Sequence, residues 1–415
     1  MASQNTSPLS ETLDLSRWKK VPTYAVIAGI LFLILGLVVE GRHGTEALLK
    51  NFGFSWLTGF MFFLSLAMGG LFLTMAHHLF DASWSVPIRR YCEHLACLVL
   101  PLAVLFIPIA LLADKMYPWM TMAVPDHALH AKHALLNTDT FFSWYTRIPL
   151  YFVIWIALAF LLRKYSVAQD KDGAAHWTFK MRRASYIGIF LFAISLTFAV
   201  IDWVKSLSHQ WYSTMYGVCY FAGSVWLTIA TVYVIGIVLK RTGPLKDVLF
   251  PTHFYYIGSL TFAFTVFYAY VHFSQYFIQW NANLPEEIFW FKLREVGTWW
   301  WVGMVIIFGH FFVPFLTLLR IDFKLKLVIM LPVAIWAWLM HYTDMCYNIL
   351  PTPRPDNFYL HWMDIGAFLI MGGILSTLYI RSLGTTAAYP LRDPRLKESL
   401  TSHELPASEE APASH

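Results

Sequence analysis

Charge is scarce in this sequence: Asp, Glu, Lys and Arg make up 13% of 415 residues, where an ordinary soluble domain carries roughly 25%. Beside 58% hydrophobic residues, that scarcity means one or two water-exposed cores cannot hide the apolar side chains, so lipid must solvate much of the surface. Cysteine is also thin. The four cysteines, Cys92, Cys97, Cys219 and Cys346, form no C-x-x-C, which leaves iron–sulfur and zinc ligation without support, and no metal is expected on this chain. No Walker loop, G-x-G-x-x-G turn or nucleophile elbow stands in a loop that could use it. A net charge of +5 is too small to indicate nucleic-acid binding.

What the sequence has instead is long apolar runs. A bilayer core of about 30 Å takes about 20 apolar residues per helix, and ten segments meet that length: 21–39, 54–80, 92–113, 148–162, 184–204, 214–239, 254–280, 298–319, 325–348 and 360–380. The fourth is the shortest. None alternates with the period of a barrel strand, so the expected architecture is an all-α membrane protein. It divides into an N-terminal tail over 1–20, a ten-helix domain over 21–380 and a largely disordered C-terminal tail over 381–415. The first span follows Arg17, Lys19 and Lys20 as a signal peptide would, but ends at Val38, Val39 and Glu40 without a small-residue cleavage site, and reads as a retained helix. Lys and Arg number 21 on the side that holds both tails and 9 on the other. That bias makes the first side cytoplasmic, on which both termini lie. Two long segments on the other side, Asp114 to Arg147 and Asn281 to Gly297, are rich in Trp, Tyr and Pro and suit the membrane interface or a docked protein.

An ionisable group in a span costs roughly 2.5–3.5 kcal/mol on the insertion scale, which makes each one a functional candidate. In the seventh span Thr261, Thr265, Tyr268, His272, Gln275 and Gln279 follow helical spacing and share one face. They read either as interhelical hydrogen-bonding groups or as one wall of a proton or quinone path. On the outer side Asp114, Asp202, Lys205, His341, Asp344, His361 and Asp364 sit at helix ends, with His272 and Gln275 at a similar depth. Asp202 with Lys205, His341 with Asp344 and His361 with Asp364 are i, i+3 pairs. Such residues can snorkel to water, or hydrogen-bond a quinone head group while a carboxylate takes its proton. His77, His78, Glu93, His94 and His253, with His310 nearer mid-span, form an inner set suited to taking up protons. No span carries two histidines a leaflet apart, so haem is not expected here.

Several long strings carry a family resemblance: DWVKSLSHQWYSTMYGVCYFAG from Asp202 to Gly223, FAFTVFYAYVHFSQYFIQWNANLPEE from Phe262 to Glu287, and FGHFFVPFLTLL from Phe308 to Leu319. ASWSVPIRRYCEHLA from Ala82 to Ala96 and KHALLN from Lys132 to Asn137 belong to the same pattern. Together they resemble the NrfD-like, polysulfide-reductase-type membrane subunits of bacterial alternative complex III, most of all the smaller, ActF-type copy. The resemblance implies about ten helices with two four-helix bundles, spans two to five and six to nine, plus two flanking helices in the bacterial inner membrane. It also implies partners: a related larger NrfD-like subunit, an iron–sulfur subunit, haem c subunits, small membrane subunits and a terminal oxidase. Electrons would then travel on partner cofactors, and this chain would hold none beyond a quinone or menaquinone.

Three roles remain open on the sequence: a quinol site using Asp202, His272, His341 and Asp344, a proton-conducting subunit using the seventh-span face, and a structural anchor. A secondary transporter is the alternative from another class. It lacks a pair of broken helices at equivalent positions of the two halves.

Overall fold

The computed structural model describes residues 19–122, 126–243 and 245–401. Every regular element among them is helical, and ten helices are long and apolar enough to cross a membrane. They are α1 Lys20–Glu40, α2 Thr45–Leu79, α3 Val86–Leu111, α4 Trp144–Asp172, α5 Ala175–Trp203, α6 Tyr216–Arg241, α7 Pro251–Ala282, α8 Trp299–Leu318, α9 Leu327–Ile349 and α10 Trp362–Leu383. The chain is a multi-pass membrane protein. Ten crossings return it to the side it started from, here called the terminal side. Arg17 and residues 402–415 lie outside the described residues.

Each of the ten expected spans corresponds to one of these helices. The fourth differs most, because a hydropathy scan sees only the apolar part of a helix. Beyond Leu162 the polar residues Arg163 to Asp172 continue α4 for almost three further turns, until Gly173 takes the left-handed conformation (φ 68°) and ends it. α3 is broken near Cys97 and again at Phe106. Pro101 accounts for the first break, since its ring clashes with the carbonyl of Cys97 four residues back, and Pro108 opens the last piece.

α2 and α6 form the spine. Both are buried along most of their length, whereas α1 is mostly open to lipid. α2 packs against α3, α5, α6, α9 and α10, α6 packs against α5, α7 and α9, and α1 lies along α10. The α2–α6 contact joins the earlier helices to the later ones. Gly69 permits that contact: a Cβ there would lie 2.1 Å from Thr228 Oγ1 and 2.7 Å from the Ser224 carbonyl. Membrane helices commonly use a small residue in this way, because close backbone approach replaces the missing hydrophobic drive.

The C-terminal segment departs from expectation. Residues 384–401 are not a free tail: they run along the terminal side and end in a short helix, Leu396–Thr401, packed on α3. Charge pairing explains this. Asp393 is buried between Arg89 and Arg395, and Asp170 pairs with Arg90 while accepting from the Leu391 amide at 2.9 Å. Burial alone would raise the Asp393 carboxyl, but Arg89 and Arg395 hold it well below the usual carboxylate range. A depressed folded-state value stabilises the fold above the unfolded value of about 4 and loses that contribution as pH falls below it. Limited proteolysis of the purified chain should leave the segment 384–401 protected down to about pH 4 and cut it more readily in stronger acid. Gly69→Val should lower the thermal midpoint in detergent, since overpacking of this kind costs about 1–3 kcal/mol.

Candidate functional site: a closed histidine and carboxylate cluster

Three of the expected outer-side carboxylates turn out to be committed elsewhere. Asp202, at the end of α5, receives both Nε and Nη2 of Arg147 at 2.8 Å and the Tyr151 hydroxyl at 2.7 Å, all from α4. Arg147 spends its remaining donors on the carbonyls of Phe142 and Leu135. Asp364, at the start of α10, receives Arg354 at 2.7 and 3.2 Å, Ser55 of α2, and the His361 amide at 2.8 Å. Both Arg–Asp pairs are buried, and with three donors on Asp202 and four on Asp364 both oxygens of each carboxylate are taken before any head group arrives. Asp114 is half-exposed on the surface, 3.7 Å from Lys115. The i, i+3 pairing of Asp202 with Lys205 does not form, because Asp202 turns toward α4. His361 caps α10 through the Met363 amide and faces Glu40 at 3.5 Å, an interface contact between α1 and α10.

The third pair behaves differently. His341 and Asp344 on α9 are buried together with His310 of α8, and one nitrogen of each histidine and an Asp344 oxygen lie within 4.8 Å of one another. No Lys or Arg lies within ion-pair distance of Asp344 among the described residues. Its polar contact is the Asn348 amide at 3.0 Å, and Asn348 in turn accepts from the Tyr216 hydroxyl at 2.8 Å. His341 Nε2 lies 2.9 Å from Ser65 Oγ of α2. Ser65 gives its own proton to the Met61 carbonyl at 3.0 Å, so it accepts from Nε2–H and leaves Nδ1 of His341 with a free lone pair. That nitrogen has no protein partner. Gly223 leaves room for the ring: a Cβ would sit 3.2 Å from Nδ1.

Four rings stack beside this carboxylate. His310 lies between Trp226 and Tyr268, with centroids at 4.0 and 3.7 Å, and Tyr268 lies against His272 at 3.9 Å. His272 Nδ1 donates to the Tyr268 carbonyl at 2.9 Å, which leaves Nε2 as its acceptor. His310 has neither nitrogen partnered by protein. It is aimed into the cluster by a π-helical stretch, Ile306–Phe312, whose displaced Gly309 carbonyl is taken by Trp336 Nε1 at 2.7 Å. Such π-bulges recur at functional sites because they turn one side chain out of the α-helical register.

The seventh-span face therefore divides. Tyr268 and His272 belong to the cluster. Thr261 and Thr265 give their hydroxyl protons to the Ile257 and Thr261 carbonyls of their own helix, and Thr265 also accepts from Trp226. Gln275 accepts from Ser213 at 2.8 Å, and Gln279 donates to the Tyr212 carbonyl at 2.9 Å. These last contacts tie α7 to the segment between α5 and α6. His310, expected with the inner set, joins His272, His341 and Asp344 instead.

The rest of the inner set forms a second, charged assembly. His77 contacts Ser85 at 2.6 Å and Arg89 at 3.2 Å, and Glu93 is bracketed by Arg89 at 3.1 Å and Arg90 at 3.5 Å. His94 contacts Ser382, Thr386 and Arg163, while His253 caps α7 through Phe250 and reaches Ser399 at 3.1 Å. His78, buried beside His77, has no protein partner for its ring nitrogens. Arg89, Arg90 and Arg163 dominate here, so the assembly acts as a clamp on the terminal side.

The sequence expectation of no metal meets one exception in the geometry. Two imidazoles and a carboxylate make a donor set that divalent transition metals accept, and His310, His341 and Asp344 are the residues that could hold one. Two clefts, of about 320 and 280 Å³, lie between α8 and α9 and between α1, α2 and α10. Both are lined mainly by apolar side chains, with Thr317 in the first and Ser376 in the second, and neither includes a cluster residue. Sequence reasoning missed Arg147 and Arg354, although both belong to the nine basic residues on the sparsely charged side, where a buried Asp is the natural partner. It also missed Ser65, Trp226 and Asn348, which have no charge to draw attention.

Removing one partner of a buried ion pair strands the other, at about 3–5 kcal/mol. Arg147→Leu should therefore sharply reduce the folded protein recovered from membranes, and the double change with Asp202→Leu should restore part of it. No protein-family model matches the chain, and no curated protein matches it, so function has to be read from the cluster itself.

Proposed function

We propose that this chain is a membrane subunit of a quinol-oxidising respiratory complex of the bacterial inner membrane, and that its α6–α9 cluster moves protons. The observation that carries the proposal is Asp344. It is a buried carboxylate with no cation beside it, next to two imidazoles that each have a free nitrogen. Groups of this kind change protonation state at modest cost, because no fixed charge commits them to one form. Asn348 and Tyr216 continue the polar contacts toward the α5–α6 segment, and Ser65 continues them into α2. Proton transfer is favoured over quinone binding because the cluster is buried: His310, His341 and Asp344 expose almost no surface to a head group. The long strings that resemble the membrane subunits of alternative complex III support the respiratory setting. Under that reading electrons stay on partner iron–sulfur and haem c subunits, and both termini face the cytoplasm, in keeping with the basic side.

The test is Asp344→Asn in the native membrane. The amide keeps the volume and the contact to Asn348 but cannot release a proton. The purified assembly should keep its subunit content, and after reconstitution into vesicles its proton uptake per quinol should fall. A variant that moves as many protons per quinol as the parent rejects the role for Asp344. Loss of assembly with unchanged turnover in what assembles would identify a structural anchor.

A further inference from the structure

Away from the cluster, the segment that links α5 to α6 holds two lysines in an unusual arrangement. Lys205 follows α5 directly, in a short 3-10 turn, Lys205–Ser208, and is 7% exposed. Lys132 arrives from the α3–α4 segment and donates to the carbonyls of His209 and Trp211, the latter at 3.0 Å. Both ammonium groups lie over the ring of Tyr212, at 3.6 and 5.6 Å from its centroid. Among the described residues no carboxylate is within ion-pair distance of either. Asp126, the acidic group in this neighbourhood, is occupied by His209 at 2.9 Å, Gln210 at 2.8 Å and the Leu129 amide at 2.7 Å. Nor, among the described residues, does the Lys205 ammonium have a hydrogen-bond acceptor.

The platform beneath the lysines is built rather than loose. Trp211 is fully buried, stacks on Trp290 at 4.4 Å and donates to the Glu287 carbonyl at 3.0 Å. Ser206 donates to the carbonyl of Asp202, which ties the turn to the end of α5. Two cations fixed this close on a rigid surface repel each other unless an anion lies between them. Burial first, and the neighbouring Lys132 second, push the Lys205 ammonium down to about 7.

We infer that Lys132 and Lys205 form a binding site for a phosphate group, presented at the depth where membrane headgroups lie. Tyr212, Met215, Phe141 and Phe142 are exposed apolar or aromatic side chains on the same side, a surface suited to the acyl chains of a phospholipid. Lysine is a point-charge ligand for phosphate and needs no fixed approach angle. The group could come from an anionic lipid or from free phosphate, and the experiment separates them.

The full chain, purified in detergent and washed free of lipid, is titrated with phosphatidylglycerol, with phosphatidylcholine and with inorganic phosphate, and bound molecules are counted by native mass spectrometry. One tightly held phosphatidylglycerol is expected, outlasting any phosphatidylcholine. Lys205→Gln and Lys132→Gln should each weaken it at least tenfold, while Lys292→Gln, an exposed lysine on the same side, should not. The wild-type chain gives an independent reading if a variant fails to fold. A lipid phosphodiester keeps its charge across this range, and Lys132, Asp126, His209 and Tyr212 are the other titratable groups around the site. Affinity should therefore fall about fivefold from pH 7 to pH 8 as Lys205 loses its proton. Retention of inorganic phosphate with no preference for phosphatidylglycerol would support the site and name a soluble anion as its ligand. Equal phosphatidylglycerol binding by wild type and both variants, a flat pH profile, or no binding of either phosphate source overturns the inference.

Discussion

Arg147 and Asp202 meet where neither can be hydrated, and much of the opposite side depends on how that problem is solved. An isolated charge in a dry interior costs several kcal/mol even after relaxation, so the pair forms with two parallel hydrogen bonds and two further donors of Arg147 go to carbonyls. Those carbonyls belong to the α3–α4 segment, so the ion pair also folds that segment back over the helix ends. Arg354 and Asp364 repeat the device at the start of α10, where Ser55 brings in α2. Segments that lack regular structure are thereby fixed by charges that the helices could not otherwise bury.

Against this background Asp344 stands out. In a molecule that neutralises its other deeply buried aspartates with arginine, one carboxylate is left among histidines and an asparagine amide. The difference divides the polar residues by what holds them. Groups in ion pairs keep one protonation state and position the chain, while groups held by neutral donors can change state. The ring column of Trp226, His310, Tyr268 and His272 suits the second role. It fixes His310 by stacking and leaves both its nitrogens free, where a hydrogen-bonded scaffold would consume them.

The ten helices were legible in the sequence because apolar length is a local property: each of the ten runs contains its own evidence. Partner choice is not local. Asp202 and Lys205 share a helical spacing, yet Asp202 turns to an arginine 55 residues upstream, and no spacing rule within one helix can reveal that. His310 was placed with the wrong neighbours for a similar reason, since the π-helical stretch rotates it relative to the register that an α-helix predicts. Residues 384–401 carry few aromatic and many polar side chains, and a composition argument frees them. Their order comes from Asp393, a single charge that joins its neighbour Arg395 to Arg89, 304 residues earlier. On the seventh-span face the threonines give their hydroxyl protons to their own backbone, which spacing alone does not distinguish from a polar path.

Residues 384–401 are made after the helices they join, and that order matters. Arg89 and Arg90 leave the ribosome early, with Glu93 as their only nearby acidic partner in α3. Asp170 arrives with α4, and Asp393 only after all ten helices have been synthesised. Until then Arg89 lacks its Asp393 partner. Formation of that pair joins α3 to the far end of the chain, so the charge network on this side is completed by the finished bundle and not by any of its halves.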